Sequence, residues 1–214
     1  SRVSRGLGDV YKRQLIDYGM GNIHSVKKAI ENLEEEVLLI KSKLQISSCK
    51  ALIIPGQGAF DPAIENLHKT GLVEEIKKWI SSGKSFMGIC LGLQILFEES
   101  EEGNNKGIGI IKGKIKKIPS TKDQRIPHIG WCNLVPLKDG KLLRQEERNK
   151  WVYFDHSYFA EPNDESFIAS NVEYGPINLT AIIENENLIA CQFHPEKSGT
   201  VSYTHLTLPT TPVV

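Results

Sequence analysis

Phe86-Met87-Gly88-Ile89-Cys90-Leu91-Gly92-Leu93-Gln94-Ile95-Leu96-Phe97 is an apolar strand that runs into Gly-x-Cys-x-Gly and then into an amphipathic helical pattern. This is the layout of a nucleophile elbow with cysteine in place of serine. The turn from strand to helix is tight and holds its central residue in a strained backbone conformation. Gly88 and Gly92 leave room where side chains would collide. Cys90 then stands at the start of a helix, where the dipole and the unpaired N–H groups favour a thiolate. The N–H of Leu91 is aimed to help bind an oxyanion. The plainer reading, a small buried hydrophobe at a strand end, suits an isolated cysteine. The flanking glycines and the strand-to-helix context favour the nucleophile. Cys49, Cys132 and Cys191 have no such context and read as packing residues, Cys191 within a core strand.

Outward from the elbow, apolar runs alternate with helical patterns. Val37 to Ile40, Ala51 to Ile54 and Ser85 to Ile89 read as buried parallel strands. Ile23 to Leu33 carries Ile23, Val26, Ala29, Ile30 and Leu33 at helical spacing. Asp61-Pro62 reads as an N-cap followed by proline at the first helical position, and Val73 to Ile80 as a helix that Gly83 can end. Strands alternating with helices imply a parallel sheet. In the second half the runs are strand-like and helical patterning is weak: Gly113 to Ile118, Trp151 to Phe159, Ile177 to Ile183 and Leu188 to Phe193, with a hairpin turn at Glu184-Asn185-Glu186-Asn187. The expected fold is α/β with a mixed sheet, parallel first and antiparallel later.

A second chemical signal lies in Cys191-Gln192-Phe193-His194-Pro195-Glu196-Lys197-Ser198. His194 follows an apolar strand and so falls at the sheet end. Glu196, two residues on across a stiff proline, is placed to accept a hydrogen bond from the imidazole and fix its tautomer, leaving the other ring nitrogen to face the thiol. The alternative is a strand-end histidine satisfied by a carbonyl. Of the other histidines, His24 and His68 lie in helical stretches and read as surface or satisfied residues. His128, in Pro127-His128-Ile129-Gly130-Trp131, and His156, in Asp155-His156-Ser157-Tyr158, sit in turn-like clusters that line or support a site.

Composition excludes several classes. In 214 residues, 26 Lys and Arg balance 26 Asp and Glu, so there is no electrostatic case for nucleic acid. No apolar run approaches the roughly 18 residues that span a bilayer, and the start lacks an apolar signal region. The four cysteines include no C-x-x-C pair, which removes metal-site spacing. Free thiols in a reducing cytoplasm are expected.

These residues resemble class I glutamine amidotransferases. Gly88 to Gln94 and Phe193 to Ser198 are similar to the family's triad motifs. Asp17-Tyr18-Gly19-Met20-Gly21-Asn22, Pro55-Gly56-Gln57-Gly58-Ala59-Phe60, Pro127 to Trp131 and His156-Ser157-Tyr158 narrow the likeness to the glutaminase subunits of imidazole glycerol phosphate synthase. The resemblance implies a flavodoxin-like three-layer sandwich over residues 14–199, with Cys90, His194 and Glu196 as catalytic triad. Leu91 and the loop that carries Gly56, Gln57 and Gly58 would serve the oxyanion, Gln94 and Gly58 would hold the substrate, and His156, Ser157 and Tyr158 belong to the same oxyanion and substrate-binding set. It implies L-glutamine as substrate, no cofactor and no metal. The ammonia would pass to a (β/α)8-barrel synthase subunit, forming a heterodimer that makes imidazole glycerol phosphate and an aminoimidazole carboxamide nucleotide in histidine biosynthesis. Asn22 and Lys197 match positions near the subunit contact; a helix cap and a solvated lysine are the plainer readings.

The sequence departs from the family pattern at Gln57, where a small aliphatic residue is usual, and after Ser198, where a C-terminal helix is expected. Lys12-Arg13-Gln14 is polar where a buried first strand belongs, and Val201 to Val214 is rich in Thr and Pro. Residues 1–13 and 200–214 are accordingly expected to be foreign to the domain. Competing functions are a paralogous subunit that supplies ammonia for a surface-polysaccharide sugar, a non-catalytic module on the same fold, and a cysteine peptidase relative.

Overall fold

The computed structural model describes residues 12–33, 35–46, 51–120, 122, 124–147 and 149–199. Cys49 and the two expected foreign ends, apart from Lys12 and Arg13, lie outside the described residues. In chain order the elements are β1 (Lys12–Ile16), α1 (Ile23–Glu31), β2 (Glu36–Ile40), β3 (Ala51–Ile54), α2 (Phe60–Thr70), α3 (Leu72–Ser81), β4 (Ser85–Ile89), α4 (Leu91–Gln94), β5 (Phe97–Ser100), β6 (Ile111–Lys117), β7 (His128–Pro136), β8 (Trp151–His156), β9 (Tyr158–Pro162), β10 (Ile168–Tyr174), β11 (Ile177–Asn185) and β12 (Leu188–Cys191).

Nine strands form one sheet in the order β2-β1-β3-β4-β12-β11-β10-β7-β8, and β5-β6-β9 form a second, smaller one. From β2 to β12 the neighbours are parallel; from β12 onward they are antiparallel. The mixed sheet expected from the sequence is therefore present. Side chains along the parallel strands alternate between two cores, as a period of two requires. Leu15, Ile53, Met87, Ile89 and Ile189 join α1 on one face. Ile16, Ile54, Phe86 and Ala190 join α2, α3 and the small sheet on the other. Each fully buried aliphatic side chain contributes about 1.5–3 kcal/mol of transfer free energy.

Several local expectations change. The second helix begins at Phe60 with Ala59 as its N-cap, so Asp61 lies in the first turn instead of capping it. The capping is done from a distance: Glu102 accepts the Phe60 N–H at 3.0 Å, while Asp61 accepts the N–H groups of Asn104 and Asn105. The stretch 151–159 breaks at Ser157 into β8 and β9, which belong to different sheets. The hairpin at 184–187 forms as read, with Glu186 at φ 49.

β1 is a central strand despite its polar start. Arg13 is 2% exposed and Gln14 fully buried. The Arg13 guanidinium pairs with Glu35 at 3.4 Å, and the Gln14 amide donates to the Gln45 carbonyl at 3.2 Å. The cost of burying these polar groups is offset by partners supplied by distant segments.

Candidate active site

The parallel pairing of β4 with β12 fixes the site. Ile89 is in register with Cys191, and the Cys90 N–H donates to the Cys191 carbonyl at 2.8 Å. The two chains thus leave the sheet side by side at the carboxyl edge of the parallel strands, where open α/β sheets place their ligands. The elbow carries Cys90 out of one strand, and His194 comes three residues after the end of the other.

Cys90 has φ 52 and ψ −108, a left-handed conformation that a residue with a Cβ adopts at a cost of order 1–3 kcal/mol. The glycines permit it. A Cβ on Gly92 would lie 2.0 Å from the Ile54 carbonyl oxygen, and one on Gly88 would lie 2.6 Å from the Gly92 oxygen. Gly56 serves the same packing from the neighbouring loop: its Cβ would meet Leu91 Cβ at 2.6 Å. The helix after Cys90 is one turn, Leu91–Gln94, shorter than the sequence pattern suggests. Its Leu93 and Gln94 N–H groups donate to the Cys90 carbonyl at 2.9 and 3.2 Å.

His194 and Glu196 form a buried pair. Nδ1 of His194 donates to Glu196 Oε1 at 2.9 Å, and both side chains are 2% exposed. A carboxylate can only accept, so the proton on Nδ1 is fixed and Nε2 is left for chemistry. Nε2 is buried and, among the described residues, has no partner at ordinary hydrogen-bond distance, Cys90 being within interaction range of the ring. Burial pushes the imidazole toward neutrality, but Cys90 and Glu196 together outweigh it and raise its pKa to about 10. Further bonds hold this histidine: its N–H donates to the Tyr153 carbonyl at 2.9 Å, and the Ser198 hydroxyl donates to its carbonyl at 2.6 Å.

A cavity of about 410 Å³ opens over the sulfur, within the range of small-molecule sites. Of the residues singled out from sequence, Gln57, Gly58, Cys90, Leu91, Gln94, His156, Ser157 and Tyr158 line it. Gly56 does not; it is buried behind the loop against Leu91 and the Tyr18 hydroxyl. Gly58, at φ 113, turns the loop toward the cavity. Two carboxylates at the cavity, Glu102 and Asp155, were not singled out: Glu102 belongs to no local motif, and Asp155 was quoted only as the start of the His156 cluster. A wider groove of about 770 Å³, lined by Lys138, Arg144 and Glu184 among others, carries charges of both signs and no nucleophile.

His128 and His156 support the cavity wall. His156 Nδ1 donates to the Tyr158 carbonyl at 2.8 Å, so its Nε2 accepts from His128 Nδ1 at 2.9 Å. His128 Nε2 in turn accepts from the Cys132 thiol at 3.2 Å. Cys132 is thus a hydrogen-bond donor as well as a packing residue. Burial lowers the pKa of His156 to about 3 and that of His128 to about 4.

Asn22 and Lys197 lie away from the cavity. Asn22 is exposed and caps α1, accepting the Ser25 N–H at 3.2 Å. Lys197 Nζ stands 5.4 Å from the centre of the Tyr153 ring. Beside them, β7 and edge strand β8 present Ile129, Trp131 and Trp151 to solvent, at 57%, 49% and 51% exposure.

Comparison with known proteins agrees with this architecture. The model of the glutamine amidotransferase class-I family matches residues 14–207, and the chain belongs to that family. Within it the likeness is to one subunit type. The chain is 65% identical over 185 residues to the imidazole glycerol phosphate synthase subunit HisH of Prochlorococcus marinus subsp. pastoris (strain CCMP1986 / NIES-2087 / MED4), covering 86% of this chain and 90% of the relative. It is 62% identical over 190 residues to the HisH of Prochlorococcus marinus (strain MIT 9312), covering 89% and 93%. Among solved structures, a glutamine amidotransferase crystal structure superimposes with a TM-score of 0.71 at 17% identity, covering 90% of this chain and 95% of that one. PurLQS from Thermotoga maritima gives 0.70 at 17% identity, covering 91% and 95%. The resemblance read from the motifs and the fold expected from it both hold.

Proposed function

We propose that this chain hydrolyses L-glutamine through Cys90, His194 and Glu196 and delivers the ammonia to a (β/α)8-barrel synthase subunit. The observation that carries the reading is the junction of β4 and β12, where a strained cysteine leaves one strand within interaction range of a histidine that follows the other and is tied to Glu196 at 2.9 Å.

The steps follow from the groups present. His194 Nε2 takes the Cys90 thiol proton, the thiolate attacks the side-chain amide carbon of glutamine, and the developing oxyanion is received by the Leu91 N–H and an N–H of the Gly56–Gly58 loop. His194 gives its Nε2 proton to the departing nitrogen, the C–N bond breaks, and ammonia leaves a glutamyl thioester. Water then attacks the thioester while Nε2 takes its proton. The C–S bond breaks to release glutamate and restore the thiolate. Glu196 keeps the imidazole in the required tautomer and stabilises its charged form. Gln94, Ser157 and Tyr158 hold the substrate, and Glu102 and Asp155 offer negative charge to its α-ammonium group.

The partner reading draws on the exposed aromatic face of β7 and β8. Monomeric surfaces rarely group large apolar side chains in this way. Tyr153, on the same strand, bonds the His194 backbone, so a partner seated there would lie one strand from the catalytic base. Lys197 lies beside this region, over the Tyr153 ring, and Asn22 and Lys197 are assigned to the subunit contact. The products are then imidazole glycerol phosphate and an aminoimidazole carboxamide nucleotide, in the cytoplasm. The names of the similar proteins favour this acceptor over a polysaccharide sugar. We assign the domain to residues 14–199. The test is release of glutamate from glutamine with and without a matching barrel subunit and its nucleotide ligand. Stimulation by that subunit is expected; the absence of glutamate release in its presence overturns the reading.

A further inference from the structure

Gln192 is fully buried, stands two residues before His194 and is not used by the steps above. Its amide lies between two groups of the site. Its Nε2 donates to Cys90 Sγ at 3.6 Å, and its Oε1 accepts from Gln94 Nε2 at 3.1 Å. The orientation of this amide follows from a group that cannot be reversed. The Tyr158 carbonyl only accepts, and it takes the Gln94 Nε2 proton at 3.1 Å. This fixes the Gln94 amide with its NH2 inward, and the second N–H of that NH2 finds the Gln192 oxygen. The Gln192 NH2 is left facing the sulfur. An N–H donor on sulfur suits a thiolate, which accepts strongly, better than a thiol, which accepts weakly. The backbone restrains Gln192 as well, since its N–H donates to the Ala181 carbonyl at 2.9 Å.

We propose that Gln192 is a positioning residue that donates a hydrogen bond to the Cys90 thiolate, holding the sulfur ionised and aimed at the cavity. The chain Tyr158–Gln94–Gln192–Cys90 then ties the cavity wall to the nucleophile, so a ligand contacting Gln94 or Tyr158 bears on the sulfur through two amides. Among the described residues, His194, Tyr18 and Cys191 also lie within interaction range of Cys90. The inference deepens the glutaminase reading and rests on it for its kinetic consequence, though not for the state of the sulfur.

The test is the pH dependence of Cys90 alkylation by iodoacetamide, followed by peptide mass spectrometry so that other thiols are counted separately. Gln192→Met keeps the bulk and removes the donor. Loss of a hydrogen bond to a charged group is expected to move the alkylation midpoint up by about one to two pH units. Glutaminase kcat should fall about tenfold or more with KM changed little. A residue that only fills space would leave the midpoint where it is in the wild type, and that result overturns the proposal. If Gln192→Met does not fold, the side-chain amide of 15N-labelled Gln192 is followed in the wild-type protein. Its NH2 resonances should shift as Cys90 titrates and lose that response on alkylation; resonances indifferent to both overturn the proposal. A shifted alkylation midpoint in a protein that releases no glutamate would leave Gln192 in place and remove the glutaminase reading instead.

Discussion

Acidification between pH 6.5 and 5 is expected to destabilise this fold through one pair of histidines. His156 donates from Nδ1 to a carbonyl and accepts on Nε2 from His128, whose own Nε2 accepts from Cys132. Each ring is used once as donor and once as acceptor, so both must be neutral. A proton on His156 would set two N–H groups against each other across 2.9 Å. The folded pKa values, about 3 for His156 and about 4 for His128, lie below the ordinary value of 6.5. In that window the unfolded chain binds more protons, so stability is complete above 6.5 and falls as pH drops toward the folded values. One pH unit is worth about 1.4 kcal/mol per group, which gives about 2 kcal/mol from His156 by pH 5. His128 shares one hydrogen bond with His156, so the two protonations are coupled and its added share is roughly half. A total loss of about 3 kcal/mol is a large fraction of the 5–15 kcal/mol typical of a domain. Urea unfolding at pH 7.5, 6.5, 5.5 and 5.0 measures it, and His128→Phe should flatten the slope. Equal stability at pH 7.5 and 5.0, or an unchanged slope in the variant, would refute the argument.

Three further outcomes are expected. Gly92→Ala puts a Cβ 2.0 Å from the Ile54 carbonyl oxygen, a backbone atom that cannot step aside, and should cost about 2 kcal/mol or more in urea unfolding. Glu196→Gln removes the charge that holds Nδ1 of His194 and should lower kcat about 10- to 100-fold, with a smaller effect on KM, in steady-state glutaminase assays. Trp131→Ala, at a position 49% exposed, should change stability by about 0.5 kcal/mol or less but weaken the barrel subunit's binding by about tenfold or more in calorimetry.

How much was legible in the sequence depended on how local the signal was. The elbow was legible because its glycines stand within two residues of Cys90 and their reason is steric. Glu196 was legible because it lies two residues from His194. The buried polar start of β1 was not: its cost was foreseen, but Glu35 and Gln45, which meet Arg13 and Gln14, lie 22 and 31 residues away. Glu102 was missed for a similar reason, since its contact with Phe60 spans 42 residues. The helix after Cys90 was read too long because Leu93, Leu96 and Phe97 keep helical spacing. The chain instead turns at Leu96, whose carbonyl accepts the N–H groups of Ile110 and Ile111. The break at Ser157 went unread because Trp151 to Phe159 is continuously strand-like, and only pairing to two different sheets divides it.

The most direct test is rapid-quench mass spectrometry of the protein mixed with glutamine and its barrel partner. The account predicts a glutamyl adduct on Cys90 that forms and decays at the rate of turnover, is absent in Cys90→Ala, and accumulates far more slowly in His194→Asn, with partner binding retained in both variants. Turnover of glutamine at the wild-type rate by Cys90→Ala, or an adduct on any other residue, would contradict it.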